Sequence, residues 1–316
     1  MEEARAQPRI LRILRQALPW LVGIAILIVV ATRVPLGAFR DAIGRGPHLR
    51  LTVVTLLVVL LVLCTDSLST WFGLLTLKIR RPLSTVLFVR GATNVLFLIN
   101  YALGQGGFGY YLHRSGVKPQ RAVGATLFLM GTNLATLMIL TTIAWAVHGG
   151  DTQSTMWWTL IGGCGAFALY LVVIAASPGP LARREVFAPL FDAGIRGHAL
   201  AMLGRLPHMT TVVITNWIMM RAWGIEVPFG AGMALMPVVV IATVLPISPA
   251  GLGTTQAVMV YFFSDYATGA TSAERDASIL AFGIVQFVYV VACLILVGLW
   301  CVPFARRRGA LRERET

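Results

Sequence analysis

Charged side chains are scarce in this 316-residue sequence, and acidic ones are the scarcest, with only 13 Asp and Glu residues. The charged share of 12 % is about half of the share that soluble domains carry. Apolar residues make up 57 % of the chain, and its mean hydropathy is +0.78. Because so few polar side chains cannot cover a water-facing surface, the composition excludes a soluble globular protein and predicts an integral membrane protein.

Recognisable catalytic and metal-binding patterns are also missing. The four cysteines lie in apolar runs without a C-x-x-C spacing, which favours small buried hydrophobes over disulfides or metal ligands. The five histidines lack ligand spacing, and no nucleotide-binding loop or hydrolase motif occurs. We therefore expect no cofactor, no metal and no enzymatic activity.

The net charge of +13 comes from basic residues that cluster between the apolar runs. Such placement favours membrane topology and anionic lipid headgroups over nucleic-acid binding. Six runs are long enough to span a bilayer, and we expect the first to be retained rather than cleaved. These runs are 17–32, 51–72, 122–147, 157–176, 207–224 and 278–302.

Two further apolar regions, 83–112 and 229–263, are interrupted by glycine or proline. Basic residues flank both sides of the first region, whereas acidic residues dominate the flanks of the second, so each is predicted to enter and return on one face. The sequence thus predicts an all-α polytopic membrane protein with six full spans plus two oppositely entering re-entrant hairpins. Residues 1–147 and 148–302 would form an inverted repeat, and 303–316 a basic cytoplasmic tail, with both termini in the cytoplasm.

The hairpin tips are expected at 103–109 and 245–255, where the backbone would leave the helix and line a central site. These segments align without gaps at an offset of 144 residues. Tight helix packing through small residues is the alternative explanation. The predicted tip residues are Gly104, Gly106, Gly107, Gly109, Pro246, Pro249, Gly251 and Gly253.

Ionisable residues inside membrane segments are costly and are functional candidates. Asp66 lies within the second span, and Arg90 lies well inside the first hairpin. Arg90 is a candidate for binding a lipid phosphate and Asp66 for proton or ion coupling. The alternatives are a structural ion pair between the two, or extension of Arg90 to the lipid headgroups. Arg205 is assigned to a cytoplasmic loop together with neighbouring arginines. Neutral candidates for substrate binding, or for satisfying freed backbone groups, are Asn100, Gln105, Ser248 and Gln256.

Residues 245–257 read L-P-I-S-P-A-G-L-G-T-T-Q-A. This segment resembles the signature L-P-x-S-P-G-G-x-G-x-x-E-A of the flippase-like family named after the transmembrane region of lysylphosphatidylglycerol synthase. Residues 100–107, N-Y-A-L-G-Q-G-G, are similar to that family's looser first signature. Gln256 stands where the family has Glu, and the first tip lacks the family's acid and proline.

The resemblance implies a membrane domain that moves amphiphilic lipids between leaflets. We therefore expect a lipid flippase or translocase that carries a phosphate-bearing lipid across the inner membrane, with membrane lipids as its partners. The alternative is a non-transporting membrane scaffold or accessory subunit for a lipid-modifying or glycosylating enzyme.

Overall fold

The computed structural model describes residues 9–32, 34–99, 101–148, 154–244, 248 and 251–307, with side chains omitted at 9–20, 148 and 154–159. Over these ranges the chain forms twelve α-helices and no β-strand, which confirms the predicted helical class. The helices are α1 Arg9–Thr32, α2 Leu36–Gly44, α3 His48–Thr76, α4 Leu83–Phe97, α5 Tyr101–Arg114, α6 Pro119–His148, α7 Ser154–Ala176, α8 Gly179–Ala182, α9 Ala188–Trp223, α10 Phe229–Val244, α11 Thr254–Phe263 and α12 Ser272–Arg307.

Three described helices are long and apolar enough to cross a membrane: His48–Thr76, Pro119–Val147 and Ser272–Arg307. The number rises to four if α2 and the preceding apolar helix form one bent span. The remaining predicted spans lie in α7 and α9, which are not among the described helices that are both long and apolar enough to cross, so six spans are not confirmed. The structure therefore supports a helical membrane protein.

Each interrupted region forms two short helices that pack against each other. Helices α4 and α5 make up the first pair, and α10 and α11 make up the second. Each pair also contacts the long helices on either side of it in sequence, so that α4 packs on α3 and α5 on α6, while α10 packs on α9 and α11 on α12.

The two halves of the chain are joined by extensive helix packing. Helix α3 packs along α9, α4 packs on α12, and α10 packs on α6. Small residues permit the closest approaches, since a Cβ atom on Gly91 of α4 would collide with Cys301 of α12, and one on Gly298 with Val95. Such contacts through small side chains are typical of helix association in membranes.

Candidate functional site

A cavity of about 360 Å³ lies between the two halves of the chain. Its lining includes residues of α3, α4, α5 and α6 from the first half and of α9, α10, α11 and α12 from the second. Both helix pairs therefore contribute to one space. Most of the wall is apolar, with valine, leucine and methionine side chains, and the polar groups are concentrated in two places.

The first polar region is a charged cluster centred on Asp66 of α3. Its Oδ2 atom accepts a hydrogen bond of 2.6 Å from Nε of Arg90, and its Oδ1 atom accepts one of 3.2 Å from Nη1 of Arg205. All three side chains are at most 9 % exposed. The ion pair between Asp66 and Arg90, one of the two sequence-based alternatives, is present, and a second arginine completes it.

Arg205 corrects the sequence analysis, which had placed it in a cytoplasmic loop. Helix α9 begins at Ala188, so Arg205 lies well inside a helix and its side chain is buried. Its Nη2 atom donates to Oγ1 of Thr70 at 3.3 Å, while its Nε atom has no partner. A charge-count rule groups this arginine with the exposed ones before it, because the rule cannot detect a carboxylate on another helix.

His208 joins the same cluster from α9, one turn beyond Arg205 on the same helix face. Its Nε2 atom lies 3.7 Å from Oδ1 of Asp66, and its Nδ1 atom is 3.2 Å from the hydroxyl of Thr65. The ring is buried and lines the cavity. The sequence analysis did not select His208, although its three-residue spacing from Arg205 was the available signal.

Arg90 extends the polar network toward α5 and α6. Its Nη1 atom donates to Oε1 of Gln105 at 3.2 Å, and Gln105 donates to the hydroxyl of Tyr101 at 3.1 Å. The same hydroxyl accepts a bond of 3.3 Å from Asn133, whose Oδ1 atom is buried without a partner. The guanidinium carbon of Arg90 also lies 5.4 Å from the ring centroid of Phe97 and 5.5 Å from that of Phe108. These hydrogen bonds and ring contacts hold the Arg90 side chain in place.

The charged cluster has an excess of positive charge. Two guanidinium groups face one carboxylate, and Asp66 is the only acidic residue among the described residues that line the cavity. With His208 neutral, the net charge is therefore +1. An unbalanced charge in a membrane interior is unfavourable, so the cluster favours an anion in the cavity.

The second polar region consists of neutral amides from the other half of the chain. Gln286 of α12 donates to Oδ1 of Asn216 of α9 at 3.0 Å, and Asn216 donates to a backbone carbonyl of its own helix. Both amides line the cavity. They offer hydrogen bonds without charge, and the sequence analysis did not select either as a site residue.

The predicted first tip is wrong in its position. Helix α4 ends at Phe97 and α5 begins at Tyr101, so Gly104, Gly106, Gly107 and Gly109 lie inside α5. Three of these glycines serve close packing, because an added Cβ atom would crowd Phe97, Leu96 or the hydroxyl of Thr126, whereas Gly106 faces open space. Asn100 lies outside the described residues.

The second tip differs from the first. Gly251 and Gly253 have φ angles of +75° and +85°, a left-handed backbone that favours glycine, so the chain does leave the helix here. Ser248 does not line the cavity; its hydroxyl is 3.1 Å from that of Thr254 and stabilises the turn. Pro246 and Pro249 lie outside the described residues. Since one tip is a turn and its aligned counterpart is helical, the 144-residue alignment does not match equivalent structure.

Gln256 lines the cavity but uses both ends of its amide on the backbone. Its Oε1 atom accepts a bond of 2.7 Å from the N–H of Gly253, and its Nε2 atom donates to the carbonyl of Gly283 at 3.2 Å. The side chain thus caps α11 and ties it to α12. This is the backbone-satisfying role that the sequence analysis gave as an alternative to headgroup binding.

The structure therefore brings Asp66, Arg90, Gln105 and Gln256 to one cavity, and it adds His208 to them. It leaves Ser248 in the adjacent turn. No group of three or more potential metal-ligating side chains occurs among the described residues. A comparison of the chain with protein-family models, curated proteins and solved structures finds no match.

Proposed function

We propose that this chain is a lipid translocase that moves an anionic, phosphate-bearing amphiphile between the leaflets of the inner membrane. The single observation that carries the proposal is the net positive cluster of Arg90, Arg205 and Asp66, of which Arg90 and Asp66 line a mostly apolar cavity. A lipid phosphate would balance the charge at Arg90, and the acyl chains would contact the apolar walls. The similarity of residues 245–257 to the flippase-like family supports the same assignment.

The packing pattern supports the repeat in this proposal, in which the second half is inverted relative to the first. In this repeat α3 corresponds to α9, α4 to α10 and α6 to α12. The contact of α4 with α12 in one direction is then equivalent to the contact of α10 with α6 in the other, and both contacts are present. Exchanging the halves leaves the contact of α3 with α9 unchanged. A pseudo-twofold arrangement around a central cavity is typical of secondary transporters, in which one half rocks against the other.

Cysteine labelling tests the opposite entry of the two hairpins. In a background without native cysteines, Gln120→Cys follows the first hairpin and Thr271→Cys follows the second, and both positions are exposed. The inverted arrangement predicts that an impermeant maleimide labels position 120 only from the cytoplasmic face and position 271 only from the opposite face. Labelling of both from one face would refute it.

Leaflet exchange in proteoliposomes tests the function. Phosphatidylglycerol, phosphatidylcholine and a polyprenyl phosphate each carry a fluorophore on the acyl tail, and dithionite bleaches only the outer leaflet. The proposal predicts complete bleaching of an anionic lipid with the protein and bleaching of only the outer half in protein-free vesicles. Arg90→Ala should slow exchange about tenfold or more, since it removes a charge-assisted bond to phosphate.

Arg45→Ala is the matched control, because the side chain of that arginine is 84 % exposed directly after α2 and pairs with Asp41 of that helix. It should exchange lipid at the wild-type rate. Equal exchange by Arg90→Ala and wild type would remove Arg90 from the site. Absence of exchange for every lipid, with or without a proton gradient, would refute transport and favour the scaffold alternative, which a co-purifying enzyme would then support.

A further inference from the structure

The contacts around His208 provide an acceptor for each ring nitrogen of an imidazolium. The hydroxyl of Thr65 lies 3.0 Å from the carbonyl of Leu61 and 3.2 Å from Nδ1 of His208. With its own proton donated to that carbonyl, the hydroxyl oxygen can accept a hydrogen bond from a protonated Nδ1.

The other ring nitrogen faces a carboxylate. Nε2 lies 3.7 Å from Oδ1 of Asp66. When both ring nitrogens carry a proton, this contact becomes an ion pair with the carboxylate. Asp66 itself accepts bonds from two arginines, so it is poorly placed to take up the proton that the sequence analysis assigned to it.

Three charged groups on the elements packed around His208 control its protonation. Asp66 on α3 favours the imidazolium, whereas Arg90 on α4 and Arg205 on α9 itself oppose it. Protonation raises the net charge of the cluster from +1 to +2. In a buried site this is unfavourable unless a negative charge enters the cavity at the same time.

We propose that His208 binds a proton together with the anionic headgroup, so that the cavity loads lipid and proton as a pair. The inference rests on the proposed function and names both the ligand class, an anionic phosphodiester, and the proton site. The coupling between the two binding events is reciprocal. Protonation of His208 increases the affinity for the anion, and the bound anion increases the affinity of His208 for the proton by the same factor. Zwitterionic lipids, which bring no net charge, should show no such coupling.

Calorimetric binding of dihexanoyl phosphatidylglycerol to the full chain in nanodiscs tests the coupling. The phosphodiester keeps one negative charge between about pH 5.5 and about pH 8, a range that brackets ordinary histidine titration. Wild type should bind about tenfold more tightly at the lower pH, and two buffers of different ionisation enthalpy should reveal proton uptake. His208→Gln should bind equally at both pH values and take up no proton.

Two controls make the result specific. His113→Gln removes an exposed histidine at the end of α5 and should behave as wild type. Dihexanoyl phosphatidylcholine should bind without pH dependence, and inorganic sulfate should bind more weakly than the anionic lipid because it lacks acyl chains. Equal affinities for sulfate and the anionic lipid would overturn the lipid assignment, and unchanged coupling in His208→Gln would overturn the proton site.

Thr65→Val provides a second variant of nearly the same shape if His208→Gln fails to fold. It removes the oxygen that can accept from Nδ1 of the imidazolium, so the pH dependence of binding should weaken; unchanged coupling would overturn the inference. Leaflet exchange separates this inference from the proposed function. Exchange of phosphatidylglycerol at the same rate at both pH values would overturn the inference alone, whereas coupled binding without exchange would overturn transport alone.

Discussion

Replacing Asp66 with Asn tests whether this carboxylate holds the centre of the molecule together. The substitution keeps the size of the side chain and removes its charge. Arg90 and Arg205 then lose their shared counter-ion, while their side chains remain 6 % and 4 % exposed. Removing one partner of a buried ion pair costs about 3–5 kcal/mol of unfolding free energy, because the remaining charge is left uncompensated.

A double-mutant cycle with Arg90→Gln separates the pair from its surroundings. Arg90→Gln alone leaves Asp66 paired with Arg205, so we expect a smaller loss of about 1.5–3 kcal/mol. In the double variant only Arg205 stays unpaired. The combined loss should therefore fall short of the sum of the single losses by about 1–3 kcal/mol.

The assay is the free energy of unfolding in mixed micelles, extrapolated linearly to zero denaturant. Lys118 and Glu185 form the control pair, 2.8 Å apart with side chains 73 % and 51 % exposed. Their coupling should be at most about 1 kcal/mol, since water screens an exposed pair. Additive losses within about 0.5 kcal/mol for Asp66 and Arg90, or wild-type stability of Asp66→Asn, would refute the reasoning.

Three further predictions concern packing and capping. Gln256→Glu should lower stability by about 1–3 kcal/mol, because a carboxylate cannot donate to the carbonyl of Gly283; unchanged unfolding would contradict the capping role. Gly91→Ala should lower the free energy of unfolding by about 1–3 kcal/mol, because it forces α4 away from α12. Gly106→Ala, with open space around the added methyl group, should be neutral or stabilising, and equal thermal midpoints for the two variants would argue against the close helix contact. Gly253→Ala should cost about 1–3 kcal/mol, since its left-handed backbone disfavours a side chain, and a loss as small as that of Gly106→Ala would contradict this reason.

The position of the first helix break shows where pattern reading reaches its limit. The glycine-rich segment after Leu103 predicts a turn, yet it is helical and the break comes earlier. Glycine suits both a turn and a close helix contact, and only the side chains of α4 that fill the space beside Gly104 and Gly107 distinguish the two. In the second region the prediction of non-helical backbone is confirmed at Gly251 and Gly253.

The charged cluster shows the same limit for function. Asp66 and Arg90 stand out in the sequence because each is an ionisable residue in an apolar stretch, and such residues need a partner in a membrane. Arg205 does not stand out, since the charge rule treats it as exposed, and His208 is a single histidine at the start of the predicted span 207–224. Their importance depends on α9 packing along α3, which brings them to Asp66 across more than 130 residues of sequence.

By itself the sequence determined the helical membrane class, the two interrupted helix pairs and the need for a partner at Asp66 and Arg90, because hydropathy and desolvation cost act along the chain. The tertiary structure decided which arginines share one carboxylate, which glycines pack rather than turn, and that Gln256 caps a helix. These features depend on contacts between helices that are far apart in sequence. The excess positive charge of the cavity, on which the proposed function rests, exists only after those helices pack.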